Sequence, residues 1–155
     1  MPSIKEIAQS GVMQQAELLV KDAKYIPEGK FAFCPMGCAK TARDILAEIA
    51  GGNVMFAGVF TGKGQDDTFA RRIAEASGIG ELGELVVESA RLVAEAISSL
   101  DEADLGRDVT MPWGATYPLW QAIFLPTSHI TYHDGQINYI QTLLGDKEFH
   151  WAGEN

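Results

Sequence analysis

The chain has 155 residues, 21 acidic and 12 basic, for a formal net charge of −9, and is read as a single domain spanning residues 1–155 that can bury a core without staples. An apolar fraction of 46% with 21% charged residues excludes a disordered chain, and two cysteines exclude a disulfide scaffold. The pI near 4.7 argues against nucleic acid as a partner; no apolar run reaches the roughly 18–20 residues of a bilayer span, and Met1 to Glu6 carries no signal-peptide stretch, so a cytoplasmic protein off the membrane is expected.

Apolar residues recur at about 3.6-residue spacing along most of the chain, the period of a helix. A first helix is expected from about Ser3 to Tyr25, carrying Ile4, Ile7, Ala8, Val12, Leu18 and Leu19 and stopping before Pro27 and Gly29. A second starts at Thr41, whose hydroxyl can cap with Asp44 three positions on, and runs to about Phe60 before Gly62 and Gly64 break it. A short helix near Asp67–Ala76 precedes a third long one, about Gly80 to Leu100. There Glu81, Glu84, Glu88 and Glu95 read as the solvated face, with Leu82, Leu85, Val86, Leu92, Val93, Ala96, Ile97 and Leu100 opposite. A fourth spans about Tyr117 to Leu144, kinked at Pro126 and stopped by Gly145. Without sustained alternation or repeats, the fold class is all-α, a four-helix bundle.

The strongest chemical signal is His129-Ile-Thr-Tyr-His133. Histidines at i and i+4 project from one helix face with Cβ atoms about 6 Å apart, so both imidazoles can reach one metal ion. Gln136 and Ile140 continue the stripe, which places the pair on an inward-looking face. In the second helix Glu48 interrupts an apolar stripe of Ile45, Gly52 and Met55, where a carboxylate needs a partner or a cation. Gly51, Gly52 and Gly58 weaken that helix by about 1 kcal/mol each relative to Ala, and beside a carboxylate they make room for a cavity or a close contact. Glu48, His129 and His133 together would hold one divalent ion, zinc, nickel, iron or manganese, and leave coordination positions open. The bland alternative is that Glu48 lies at the stripe's edge and reaches water or an Arg, and the histidines never meet it.

Weaker candidates read mostly as structure. Cys34 and Cys38 have C-x3-C spacing, wrong for a redox or zinc pair. Asp134 should point off the ligand stripe into solvent, Gln136 either contacts a substrate or closes a helix contact, and Asn53 lies a little off the Glu48 face. Trp113 and Trp120 are expected to pack, while His150 and Trp151 belong to a tail after Gly145.

The runs Met111-Pro112-Trp113-Gly114, Ser128-His129, His133-Asp134-Gly135-Gln136-Ile137 and Leu143-Leu144-Gly145 resemble the DinB-like family of damage-inducible proteins and thiol-dependent transferases. Thr41 to Phe60 resembles that family's second helix, so the likeness covers nearly the whole chain. It implies a metal-binding four-helix bundle, usually dimeric, whose metal is held by one histidine of the second helix and two of the fourth. His129 and His133 match the latter pair, whereas the second-helix position falls on Glu48, which lowers the charge of the occupied site. Some members use a low-molecular-weight thiol, which the metal activates for an S-transferase or isomerase reaction. Three functions follow as alternatives: such an enzyme, a non-catalytic stress-related bundle binding a metal or small molecule, or a plain dimeric helical protein. A two-fold homodimer is expected in each.

Overall fold

A computed structural model describes residues 1–64 and 67–150; Trp151 of the tail lies outside the described residues. Helix α1 (Ile4–Ala23) starts at Ser3 in a capping box, where the Ser3 hydroxyl accepts from the Glu6 amide and the Glu6 carboxylate accepts from the Ser3 amide at 2.6 Å. Helix α2 (Ala42–Thr61) repeats the device with Thr41 and Asp44, as the sequence predicts, and closes on Gly62 at φ +68°, a left-handed cap that favours glycine. A short α3 (Asp67–Glu75) leads into α4 (Ile79–Ser98). A small antiparallel hairpin follows, β1 (Asp108–Thr110) paired with β2 (Thr116–Pro118), with Val109 opposite Tyr117. One turn, α5 (Leu119–Ala122), then joins it to α6 (Leu125–Leu143).

The four long helices pack in a ring. α4 touches both α1 and α2, and α6 touches both from the opposite side, so α1 and α2 lie on one diagonal. The core between them is largely aliphatic, with Leu19, Ile45, Leu46, Ile49, Leu82, Ile97, Ile130 and Ile137 excluded from solvent. Gly83 sets the α1–α4 approach, since a Cβ there would sit 2.9 Å from Val20 Cγ1. The expected solvated face of α4 is in place, and Glu88 takes a two-pronged bond from Arg72 of α3 at 2.7 and 2.6 Å. Leu92, assigned by spacing to the buried side, is exposed instead.

Two sequence expectations fail at the fourth helix. It begins at Leu125, not Tyr117, because Thr116–Pro118 pairs with β1, and strands three residues long leave no readable alternation. Pro126 therefore sits in the first turn, where its missing N–H has no helical acceptor to lose, and it starts the helix instead of kinking it. α2 also departs from expectation. By length and composition it is apolar enough to cross a membrane, yet it is a wall of this bundle, packed on α4 and α6.

Candidate metal centre

Glu48 lies in the second turn of α2, while His129 and His133 lie one turn apart on the flank of α6 that meets α2. His133 Nε2 is 3.1 Å from His129 Nε2 and 3.6 Å from Glu48 Oε1. Ligand atoms of all three residues fall within 4.8 Å of one another. Nitrogens sharing one ion at bond lengths near 2.1 Å stand about 3 to 3.4 Å apart, so the histidine pair has the spacing of two ligands.

The hydrogen bond behind His133 fixes which of its ring nitrogens is free. His133 is buried and its Nδ1 meets Gln136 Oε1 at 2.7 Å. An amide oxygen only accepts, so Nδ1 carries the proton and Nε2 turns a lone pair toward His129 and Glu48. His129 Nδ1 is buried with no hydrogen-bond partner among the described residues. Packing holds its ring, with Phe56 edge-on at 6.2 Å and the His133 ring at 4.7 Å and 85°. Gly52 is the other wall, for a Cβ there would lie 2.9 Å from His129 Cε1.

Burial pushes the His129 pKa down, and the positive form of His133 pushes it further, which favours the neutral, ligating imidazole. For Glu48, burial alone would raise the carboxyl, but the hydrogen bond from Lys40 and the charge of His133 outweigh it, so the group stays below its usual range. Lys40, immediately before the α2 cap, places its ammonium on Glu48 Oε2. Two neutral imidazoles and an ionised carboxylate are a donor set that divalent zinc, nickel, iron or manganese accepts, and three protein ligands leave positions open.

Glu48 and His129 stand at the wall of a cleft of about 630 Å³, lined also by Gly51, Gly52, Met55, Phe56, Trp113, Leu125 and Ser128. Trp113, at the tip of the hairpin, meets Phe56 edge-on at 6.1 Å and is half exposed. It packs, as expected, but against the cleft.

The sequence matches no family profile and no curated protein. Among solved structures, a DinB-like protein from Bacillus subtilis (YjoA) superposes at a TM-score of 0.69 over 92% of this chain and 94% of its own, with 16% identity. The chain has the DinB-like fold. A mutant of the mycothiol-dependent maleylpyruvate isomerase superposes at a TM-score of 0.66 with 14% identity, over 88% of this chain and 63% of its own length.

The structure brings Glu48, His129 and His133 together, with Gln136 behind His133 and outside the cleft lining. Asp134 is a correction: it is fully buried, because α6 turns a wide face inward and Asp134 shares a stripe with Asn138 and Gln141. Those two meet α1, where Asn138 Nδ2 donates to Asp22 Oδ2 at 3.1 Å and Gln141 Nε2 donates to the Asp22 carbonyl at 2.5 Å. Asn53 faces away from the centre and donates to Ser89 of α4. Cys34 and Cys38 are free and exposed, and Cys34 Sγ donates to the Ala39 carbonyl at 3.3 Å, closing the loop before α2. His150 stacks on Tyr25 at 3.5 Å and bonds Asp146, which docks the tail on the turn just after α1. Sequence reasoning missed Lys40, which lies outside the helical periodicity that exposed the others.

Proposed function

We propose that the protein is a divalent-metal-dependent enzyme in which Glu48, His129 and His133 hold one ion beside a cleft that takes a small thiol and its reaction partner. A bound divalent metal supplies one thing, the acidification of a coordinated thiol, whose thiolate is the nucleophile. The chain supplies the rest. Gln136 fixes the tautomer of His133, Gly52 and Phe56 hold the His129 ring, and Met55, Trp113 and Leu125 offer an apolar wall that shields a thiolate from water. An S-transferase or isomerase reaction suits this arrangement, and the likeness in fold to an isomerase that depends on mycothiol supports it.

The observation that carries the reading is the pair of facing Nε2 atoms 3.1 Å apart with a carboxylate oxygen 3.6 Å away, at the edge of an apolar cleft. Elemental analysis tests it. The purified protein should retain about one zinc, nickel, iron or manganese per chain, and a Glu48→Ala, His129→Ala, His133→Ala triple variant should retain none while staying helical by circular dichroism. Stoichiometric metal in the triple variant overturns the assignment. Thiol binding by the loaded protein, absent from the triple variant, separates the enzyme reading from a plain helical protein.

We also propose a two-fold homodimer in the cytoplasm, without nucleic-acid or membrane partners. Tyr132, Tyr139 and Leu143 leave an exposed, largely apolar stripe along α6, and the net charge of −9 repels a phosphate backbone. Light scattering should give twice the 16.8 kDa of the chain, and a monomer mass overturns it.

A further inference from the structure

Lys40 and Glu48 form an ion pair with both side chains partly exposed, 45% and 39%. Most such pairs do little, because water screens them and two flexible side chains must be held in place. Two features set this one apart. The backbone that carries Lys40 is fixed, because the next residue, Thr41, is locked to Asp44 through the capping box. The loop before it is closed by Cys34 on the Ala39 carbonyl at 3.3 Å and by the Arg43 amide on the Phe31 carbonyl at 3.2 Å. The two oxygens of Glu48 are also divided. Oε2 takes the Lys40 ammonium, while Oε1 faces His133 Nε2 at 3.6 Å.

We propose that Lys40 is a functional residue of the centre, which holds Oε2 of Glu48, cancels the charge of that carboxylate and restricts it to one-oxygen coordination of the metal. This rests on the metal reading above. With Lys40 in place the carboxylate and ammonium together are neutral, so a bound divalent ion keeps its full double charge despite an anionic ligand. The same ammonium repels the ion. The chain thus gives up metal affinity for a more electrophilic centre, and Oε2 is kept from closing a coordination position that a ligand in the cleft requires.

The test measures zinc affinity by competition with a chromogenic chelator, for wild type, Lys40→Met and Lys40→Arg. Met keeps the length of the stem and removes the charge; Arg keeps the charge. Lys40→Met should bind zinc about five- to tenfold more tightly, and Lys40→Arg within about twofold of wild type. The gap between wild type and Lys40→Met should narrow as salt rises from about 0.05 M to about 1 M, because the repulsion lies in a partly exposed, screened region. Lys40→Met binding as weakly as wild type or more weakly, with unchanged circular dichroism, overturns the role of Lys40 and leaves the metal centre standing. Failure of folded wild type and folded Lys40→Met alike to bind zinc, nickel, iron or manganese removes the metal reading and this inference with it.

Discussion

Gly52→Ala should separate the stability of the bundle from the integrity of its centre. In the middle of α2, replacing glycine with alanine favours the helix by about 1 kcal/mol. The new methyl would stand 2.9 Å from His129 Cε1 and 3.3 Å from Nδ1, where ordinary contact needs about 3.5 Å or more. The ring must therefore move by roughly half an ångström away from α2, against Phe56 and the His133 ring, and such overpacking costs about 1 kcal/mol or more. Net stability should stay within about 1 kcal/mol of wild type, because the two effects oppose each other. Metal affinity has no such compensation. A displaced ring alters the 3.1 Å spacing of the two Nε2 atoms, and a loss of about tenfold or more is expected. Gly51→Ala is the control, since its methyl would meet nothing closer than Ile73 Cδ1 at 4.0 Å. It should gain roughly 0.5 to 1 kcal/mol and bind metal as wild type does. Urea unfolding in chelator and zinc competition measure the two quantities on the same samples. Gly52→Ala with wild-type zinc affinity would refute the claim that His129 is held for coordination by the absence of a Cβ.

Gln136→Leu should keep the fold and weaken zinc binding about 10- to 100-fold, because it removes the acceptor that fixes His133 Nδ1; unchanged affinity would show that packing alone sets the tautomer. In chelator, stability should fall as pH drops below about 6.5, since the His129 pKa is lowered on folding and the unfolded chain takes up that proton first. Thermal melts at descending pH should show a shallower loss in His129→Leu, and an equal slope in the variant would contradict this assignment. Along α2, Ile49→Ala should cost about 2–5 kcal/mol because Ile49 is wholly buried, while Met55→Gln, on the cleft side, should cost less than about 1.5 kcal/mol; a reversed order in urea unfolding would misplace the core.

Much of this was legible because helix signals are local. Caps such as Thr41 with Asp44, a stop such as Gly145, and apolar spacing each depend on a few neighbours, and all three recur in the structure. The i, i+4 histidines were legible for the same reason: their proximity is a property of one helix. Glu48 was reachable because a lone carboxylate on an apolar stripe demands a partner. What escaped notice depended on relations between elements. Lys40 reaches Glu48 from outside the helix, and α6 packs on both α1 and α2, which leaves Asp134 buried off the ligand stripe. The hairpin escaped because strands of three residues fall below the length at which alternation means anything.

The hydropathy of α2 follows from its position between two apolar neighbourhoods. A helix that walls only a core has one apolar face and a polar one opposite. α2 instead buries Ile45, Ile49, Phe56 and Phe60 in the bundle and turns Gly51, Gly52 and Met55 toward the cleft, so its composition approaches that of a membrane span. The cleft face cannot be filled with large side chains without closing the space, which explains glycines in the middle of a helix they weaken. Nor can it be made freely polar without wetting the centre. Glu48 is placed where the cleft meets solvent, near enough to the surface for Lys40 to compensate its charge, with Oε1 3.6 Å from His133 Nε2. One turn deeper, at Gly52, a carboxylate would collide with His129, and one turn earlier, toward Asp44, it would belong to the cap. The position of the acid on α2 is therefore set by sterics on one side and by the helix terminus on the other.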